Sequence, residues 1–194
     1  RPLDVYLDEK FYRPMGLQYM AYAPLRRFSK ENIAPTVKYD FLQRGTLQGY
    51  VHDEAASVLG GIAGNAGLFA SAQDVALVYQ MLLNKGLLGD KRYLSRTTCT
   101  LFMTFKSKSS RRGLGFDKPD ARNPENSPCA TDAPASVFGH TGFTGTCAWA
   151  DPDNGLVYVF LSNRIYPMVY GRTALGKLNI RSRIQEVIYK SLMK

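Results

Sequence analysis

A chain of 194 residues is long enough to bury one sizeable core and short for two independent domains. With 45% hydrophobic and 21% charged residues it has the composition of a folded globular protein, and no stretch approaches the roughly 18 apolar residues of a membrane helix. The net charge of +9 is scattered, dense only at Arg26-Arg27, Lys106–Lys108, Arg111-Arg112 and the C-terminal segment, so it reads as a solvated face and no nucleic-acid partner is expected.

Leu3, Leu7 and Phe11 recur at helical spacing, and Pro14 with Gly16 stops that helix. There is no start methionine or signal peptide, and Arg1-Pro2 leads straight into the helical pattern. The chain is therefore expected to begin inside a longer protein. Residues 17–49 show little periodicity and read as a long connection that is functional or docked on its neighbours. A Gly-rich loop, Gly60-Gly61-Ile62-Ala63-Gly64-Asn65-Ala66-Gly67, follows. Ser71 with Asp74 then marks the start of a helix whose stripe is Val75, Val78, Leu82 and Leu83, ended at Lys85-Gly86.

Residues 105–135 are polar and read mostly as surface loop. Strands are expected over Ser136–His140, leading into Gly142–Trp149, and over Leu156–Leu161, with Asp151-Pro152-Asp153-Asn154-Gly155 as a hairpin turn. Gly139–Trp149 and Leu156–Ser162 are expected as neighbouring antiparallel strands. The helix to cover them carries Ile180, Ile184, Val187 and Ile188 as its apolar stripe. Helices first, then an antiparallel hairpin with a packing helix, predict a mixed α+β fold.

Cys99, Cys129 and Cys147 have no metal-like spacing and allow at most one disulfide, and neither His52 nor His140 has a neighbouring Cys or His. No metal and no cofactor are expected. The stretch richest in chemistry is Gly139-His140-Thr141-Gly142-Phe143-Thr144-Gly145-Thr146. It places a titratable ring, a hydroxyl and an unhindered backbone on one strand, where a glycine lets a substrate carbonyl approach and the next N–H can meet an oxyanion. Taken alone, the same string also reads as a Gly-rich turn beside a core histidine.

The wider context resembles the β-lactamase-related serine hydrolases, which include class C β-lactamases, D-alanyl-D-alanine peptidases and related esterases. His140-Thr141-Gly142 is similar to their third motif, Lys-Thr-Gly or its His-Thr-Gly variant. Trp149-Ala150-Asp151-Pro152, Val159–Arg164 and Tyr166-Pro167 resemble the last strand and its turn, and Val51-His52-Asp53-Glu54 with Gly60–Asp74 resembles the preceding loop and helix. The resemblance covers almost the whole chain, read as residues 1–194 forming the C-terminal portion of one β-lactamase-like domain.

The resemblance implies an acyl-enzyme hydrolase acting on an amide or ester: a peptidoglycan-derived peptide, a β-lactam or an ester. His140 would stand in for the motif's lysine and Thr141 would contact substrate. Gly142 would give access, and the N–H of Phe143 would form half of the oxyanion hole. Arg164 and Arg172 would lie near the turn that recognises a substrate carboxylate, with a solvated surface arginine as the alternative for each. His52 is a second histidine to weigh, more simply read as a loop brace.

The family's nucleophile lies in Ser-x-x-Lys well before the third motif. Here the only match is Ser191-Leu192-Met193-Lys194, after it, and Tyr93-Leu94-Ser95 is likewise misplaced for the second motif. The chain alone is therefore expected to be inactive. An exposed sheet edge left by the missing segment would favour self-association. A fused glycosidase domain and a bacterial periplasmic or secreted location are further implications of the resemblance. The competing reading is a binding or scaffold module that keeps the fold without the chemistry.

Overall fold

The computed structural model describes residues 1–168 and 174–192. Its chain divides into two compact units, Arg1–Val75 with Ser162–Gly171 and Ala76–Leu161 with Arg172–Lys194. The architecture is mixed, with helices and small antiparallel sheets, as the order of elements predicts.

In the first unit, helix α1 (Leu3–Leu7) continues as one π-helical stretch, Asp8–Tyr12, and ends where Gly16 takes a φ of 73°. The 17–49 segment is organised by strands of two or three residues: β1 (Ala21–Tyr22), β2 (Pro35–Val37) and β3 (Leu47–Gln48), with β2 and β3 paired. Strands this short show no period in sequence, which is why the segment reads as irregular. Buried Leu17, Met20, Val37 and Leu47 anchor it. The Asn163 amide also donates to the carbonyls of Pro35 and Thr36, fastening residues 162–168 to β2.

Helix α2 (Glu54–Val58) is capped by Asp53, whose Oδ1 accepts from Ala56 N at 2.8 Å and from the Asn65 amide at 3.2 Å. The Val-His-Asp-Glu motif thus holds the Gly-rich loop to a helix end. Loop closure also needs Gly67: at φ 108°, a Cβ there would lie 2.0 Å from the Gly61 carbonyl oxygen. The loop leads into β4 (Leu68–Phe69), which pairs with β1. Ser71 opens α3 (Ala72–Leu83) as expected, its Oγ accepting from Asp74 N at 3.1 Å. The Asp74 carboxylate is buried and used differently, accepting from Tyr19 N at 2.5 Å and Gln18 N at 3.4 Å.

In the second unit, α3 ends at Lys85-Gly86 as predicted, and the short strands β5 (Leu87–Leu88) and β6 (Lys91–Arg92) pair before α4 (Arg96–Thr104). The sheet is β7 (Phe138–Thr141), β8 (Cys147–Asp151) and β9 (Leu156–Phe160), antiparallel in that order. The expected strands Ser136–His140 and Gly142–Trp149 do not run on as one strand but pair with each other as a hairpin. The chain folds back at Gly142–Thr146, so that His140 faces Ala148 and Thr141 faces Cys147. The second hairpin, through Asp151–Gly155, is as predicted.

β8 is buried along its whole length because it is central and covered on both faces. Phe138 and Ala150 meet Cys99 and Met103 of α4 and Tyr79, Leu82 and Leu83 of α3 on one side. Trp149, Cys147 and Tyr158 meet Cys129, Val137 and Ile188 on the other. All three cysteines are free and buried, and burial raises the Cys129 and Cys147 thiols to about 11, so neither is a nucleophile near neutral pH. β9 has β8 as its only strand partner among the described residues, and the self-association expected from the sequence would act at this edge.

A short helix α5 (Ala174–Lys177) precedes α6 (Ile180–Leu192). α6 does not bury the predicted stripe: Val187 is 64% exposed and Ile184 37%, while Gln185 and Tyr189 are buried. Gln185 Oε1 accepts from Ala130 N at 2.9 Å, and Tyr189 donates to Asp151 Oδ2 at 2.8 Å. The inward face is chosen by hydrogen-bond partners, and Ile188 of the stripe packs on the core.

The 105–135 segment is not all surface either. Asp117 and Lys118 are 0% and 2% exposed, because Asp117 exchanges backbone hydrogen bonds with Gly139 at 2.7 and 3.2 Å and is drawn against the sheet. The Lys118 ammonium donates to the carbonyls of Met103 and Ser136. Burial, and secondarily the charge of Lys106, lower its pKa from 10.5 to about 8. Between these values the unfolded chain holds the proton more tightly, so the penalty is full below about pH 8 and is relieved as pH rises towards 10.5. The stability of the wild type should rise relative to Lys118→Met over that window, by on the order of 2 kcal/mol. Urea melts of both proteins at several pH values test this, and parallel pH profiles would refute it.

Candidate functional site

β7 presents Phe138 to the core and, two residues on along the same face, His140 to solvent. The glycine between them is demanded by the sheet. A Cβ at Gly139 would lie 2.1 Å from the Ala148 carbonyl oxygen and 2.6 Å from the Trp149 ring. Beyond Thr141 the chain turns tightly, with Gly142 N donating to Thr146 O at 2.7 Å and Gly145 N to Gly142 O at 3.0 Å. A Cβ at Gly142 would meet Thr146 Oγ1 at 2.1 Å, so a larger residue there would require the Thr146 side chain to rotate away. Arg181 of α6 braces the turn, its Nη1 donating to Thr146 O at 2.9 Å and reaching Gly142 O at 3.5 Å.

His140 is exposed but engaged at both ring nitrogens. Nδ1 lies 2.7 Å from the Thr141 carbonyl oxygen, and Nε2 lies 2.7 Å from Arg112 Nη1. Arg112 also pairs with Asp117 Oδ2 at 3.1 Å, and Arg111 grips the same carboxylate at 2.8 and 3.1 Å. Two guanidiniums against one buried carboxylate leave one positive charge beside His140. The sequence marks Arg111-Arg112 only as a dense basic pair. Their place next to a strand 28 residues later is set by the Asp117–Gly139 bridge, for which the sequence holds no signal.

Thr141 is partly buried, and its hydroxyl enters no hydrogen bond among the described residues. Phe143 lies in the turn with its side chain 56% exposed, so core packing is not its role. His140, Thr141, Gly142 and Phe143 are thus gathered at one strand end and its turn, with Arg112 and Arg181 beside them. Arg172 lies outside the described residues.

Two other candidates belong to the first unit. Arg164 sits partly buried in the 162–168 segment. His52 is partly buried ahead of α2, and its pKa is lowered by desolvation first, with the nearby Arg164 charge acting in the same direction against Asp53 and Asp40. It precedes a helix cap, which fits the loop-brace reading.

The two out-of-place motif strings have structural explanations. Ser95 of Tyr93-Leu94-Ser95 caps α4, accepting from Thr98 N at 3.0 Å. Ser191 donates its hydroxyl to Val187 O at 2.9 Å within α6.

A family model described as Beta-lactamase matches residues 1–178. A protein of Escherichia coli (strain K12), provisionally named a D-alanyl-D-alanine carboxypeptidase, is 35% identical over 176 residues, covering 84% of this chain and 40% of that protein. An N-acetylmuramyl-L-alanine amidase of Bacillus subtilis (strain 168) is 32% identical over 178 residues, with the same two coverages. The chain therefore spans about 40% of the length of the curated relatives it matches. Among solved structures, a beta-lactamase from Mycobacterium bovis superposes with a TM-score of 0.60 at 16% identity, over 97% of this chain and 56% of that one, a likeness of fold.

Proposed function

This chain belongs to the beta-lactamase family, and on that premise we propose that it forms the substrate-facing part of a serine hydrolase that cleaves an amide or ester through an acyl-enzyme. The substrate class we favour is a peptidoglycan-derived peptide ending in D-alanine, a reading supported by the name of the Escherichia coli relative. A periplasmic or secreted location goes with it. The observation that carries the reading is the strand end at Thr141, where a hydroxyl with no hydrogen bond among the described residues and the braced Gly142–Thr146 turn lie side by side.

In this reading a serine of a Ser-x-x-Lys motif elsewhere in a longer polypeptide attacks the substrate carbonyl. The electron pair of the C=O moves onto oxygen, and the Phe143 N–H is one of the donors that stabilise it. Thr141 donates to or accepts from the substrate beside the scissile bond. When the carbonyl re-forms, the amine or alcohol leaves with a proton and the acyl-enzyme is hydrolysed by water.

One observation favours the alternative, a binding module that retains the fold without the chemistry: both nitrogens of His140 are already engaged. Labelled penicillin decides between them. The longer protein should be acylated stoichiometrically at a serine outside residues 1–194, and the 194-residue chain alone should take up no label. Label on a serine of this chain would refute the assignment of the nucleophile, and a longer protein that neither acylates nor turns over D-alanyl peptides or esters would establish the binding module.

A further inference from the structure

The contacts of His140 fix more than its position. A guanidinium has only N–H donors and a backbone carbonyl oxygen only accepts. With Arg112 Nη1 at 2.7 Å from Nε2 and Thr141 O at 2.7 Å from Nδ1, the ring must present a lone pair at Nε2 and a proton at Nδ1. Arg112 is itself held by the Asp117 carboxylate, whose side chain is 1% exposed and whose backbone pairs with Gly139, the residue before His140. The chain from Asp117 to Arg112 to His140 to Thr141 is therefore anchored at both ends to β7.

We propose that Arg112 is the positioning residue of this strand: it holds His140 as the Nδ1–H tautomer and itself brings the positive charge that the family motif places on its lysine. His140 then has no ring nitrogen left for proton transfer, and its part is to orient Arg112 towards the strand end where Thr141 stands. The tautomer is a property of this chain alone. Only its meaning for catalysis rests on the acyl-transfer reading above.

The test uses the 194-residue chain with ¹⁵N-labelled histidine. The sequence holds two histidines, so the spectrum contains two rings, and His52→Gln assigns them. Near neutral pH, the coupling pattern of His140 to its ring carbons' hydrogens should identify Nδ1 as the protonated nitrogen and Nε2 as the bare one. In Arg112→Met the ring should revert to a mixture dominated by the Nε2–H form that free imidazole side chains prefer. Arg112→Lys, which keeps a donor-only cation, should restore part of the Nδ1–H population.

An Nε2–H or doubly protonated ring in the wild type would overturn the proposal, and so would an Nδ1–H form that persists in Arg112→Met. If Arg112→Met does not fold, the wild-type and Arg112→Lys spectra still decide. The penicillin assay separates the two readings: the expected tautomer in a protein that never acylates leaves the Arg112–His140 pairing standing and removes the acyl-transfer reading.

Discussion

Gly139→Ala should destabilise the second unit by roughly 3 kcal/mol or more, because the added methyl has nowhere to go. Its Cβ would stand 2.1 Å from a backbone oxygen, that of Ala148, and 2.6 Å from the ring of a fully buried tryptophan. A flexible side chain could swing aside; a carbonyl in the β7–β8 ladder moves only by breaking the register that pairs Gly139 with Trp149. Since Asp117 is bridged to the same residue, the Arg111–Arg112 cluster should be lost with the register. Gly64→Ala is the matched control, since nothing lies within 4 Å of its Cβ, and it should stay within about 0.5 kcal/mol of the wild type. Urea denaturation followed by the fluorescence of Trp149, the sole tryptophan, measures both. Equal midpoints for the two variants would mean that the β7–β8 packing described here is wrong.

Asp151→Ala should cost about 3 kcal/mol or more, since it removes four hydrogen bonds to one buried carboxylate at once, the buried Tyr189 hydroxyl among the donors. The carboxylate is 1% exposed. It accepts from Asp153 N at 2.8 Å, Asn154 N at 3.2 Å, the Asn154 amide at 2.8 Å and the Tyr189 hydroxyl at 2.8 Å. It therefore closes the β8–β9 turn and pins α6 to the sheet through one side chain. Tyr189→Phe removes the tyrosine bond and leaves the three turn donors satisfied, so it should cost only about 1 kcal/mol. Burial, then the bond to Asp151, raises the Tyr189 pKa, so the phenol remains a donor throughout the accessible pH range. Denaturation midpoints in the two variants give the comparison, and an Asp151→Ala loss no larger than that of Tyr189→Phe would show that the turn does not depend on the carboxylate.

Local chemistry made much of this protein legible in advance. The N-terminal helix, the stop at Lys85-Gly86, the Ser71 cap and the Asp151–Gly155 hairpin each depend on residues within a few positions of one another, and each formed where those residues stand. The stretch His140-Thr141-Gly142-Phe143 was likewise visible, because a glycine-spaced motif is contiguous. What it conceals is the fold-back: Gly142 and Thr146 close a turn, so the two strand segments that follow one another in sequence pair side by side.

Tertiary structure decided whatever depended on a partner far along the chain. Apolar spacing alone assigns Ile180, Ile184, Val187 and Ile188 to the buried face of α6. The backbone N–H of Ala130, the carboxylate of Asp151 and the turn carbonyls of Gly142 and Thr146 instead draw Gln185, Tyr189 and Arg181 towards the sheet. Leaving those groups unpaired inside would cost more than exposing two aliphatic side chains. The same logic hides Asp117 and Lys118 in a segment whose polarity reads as surface, and it brings Arg112 against His140. Hydrophobic periodicity records how apolar a face is. It carries no record of which donors and acceptors the rest of the fold will bring to meet it.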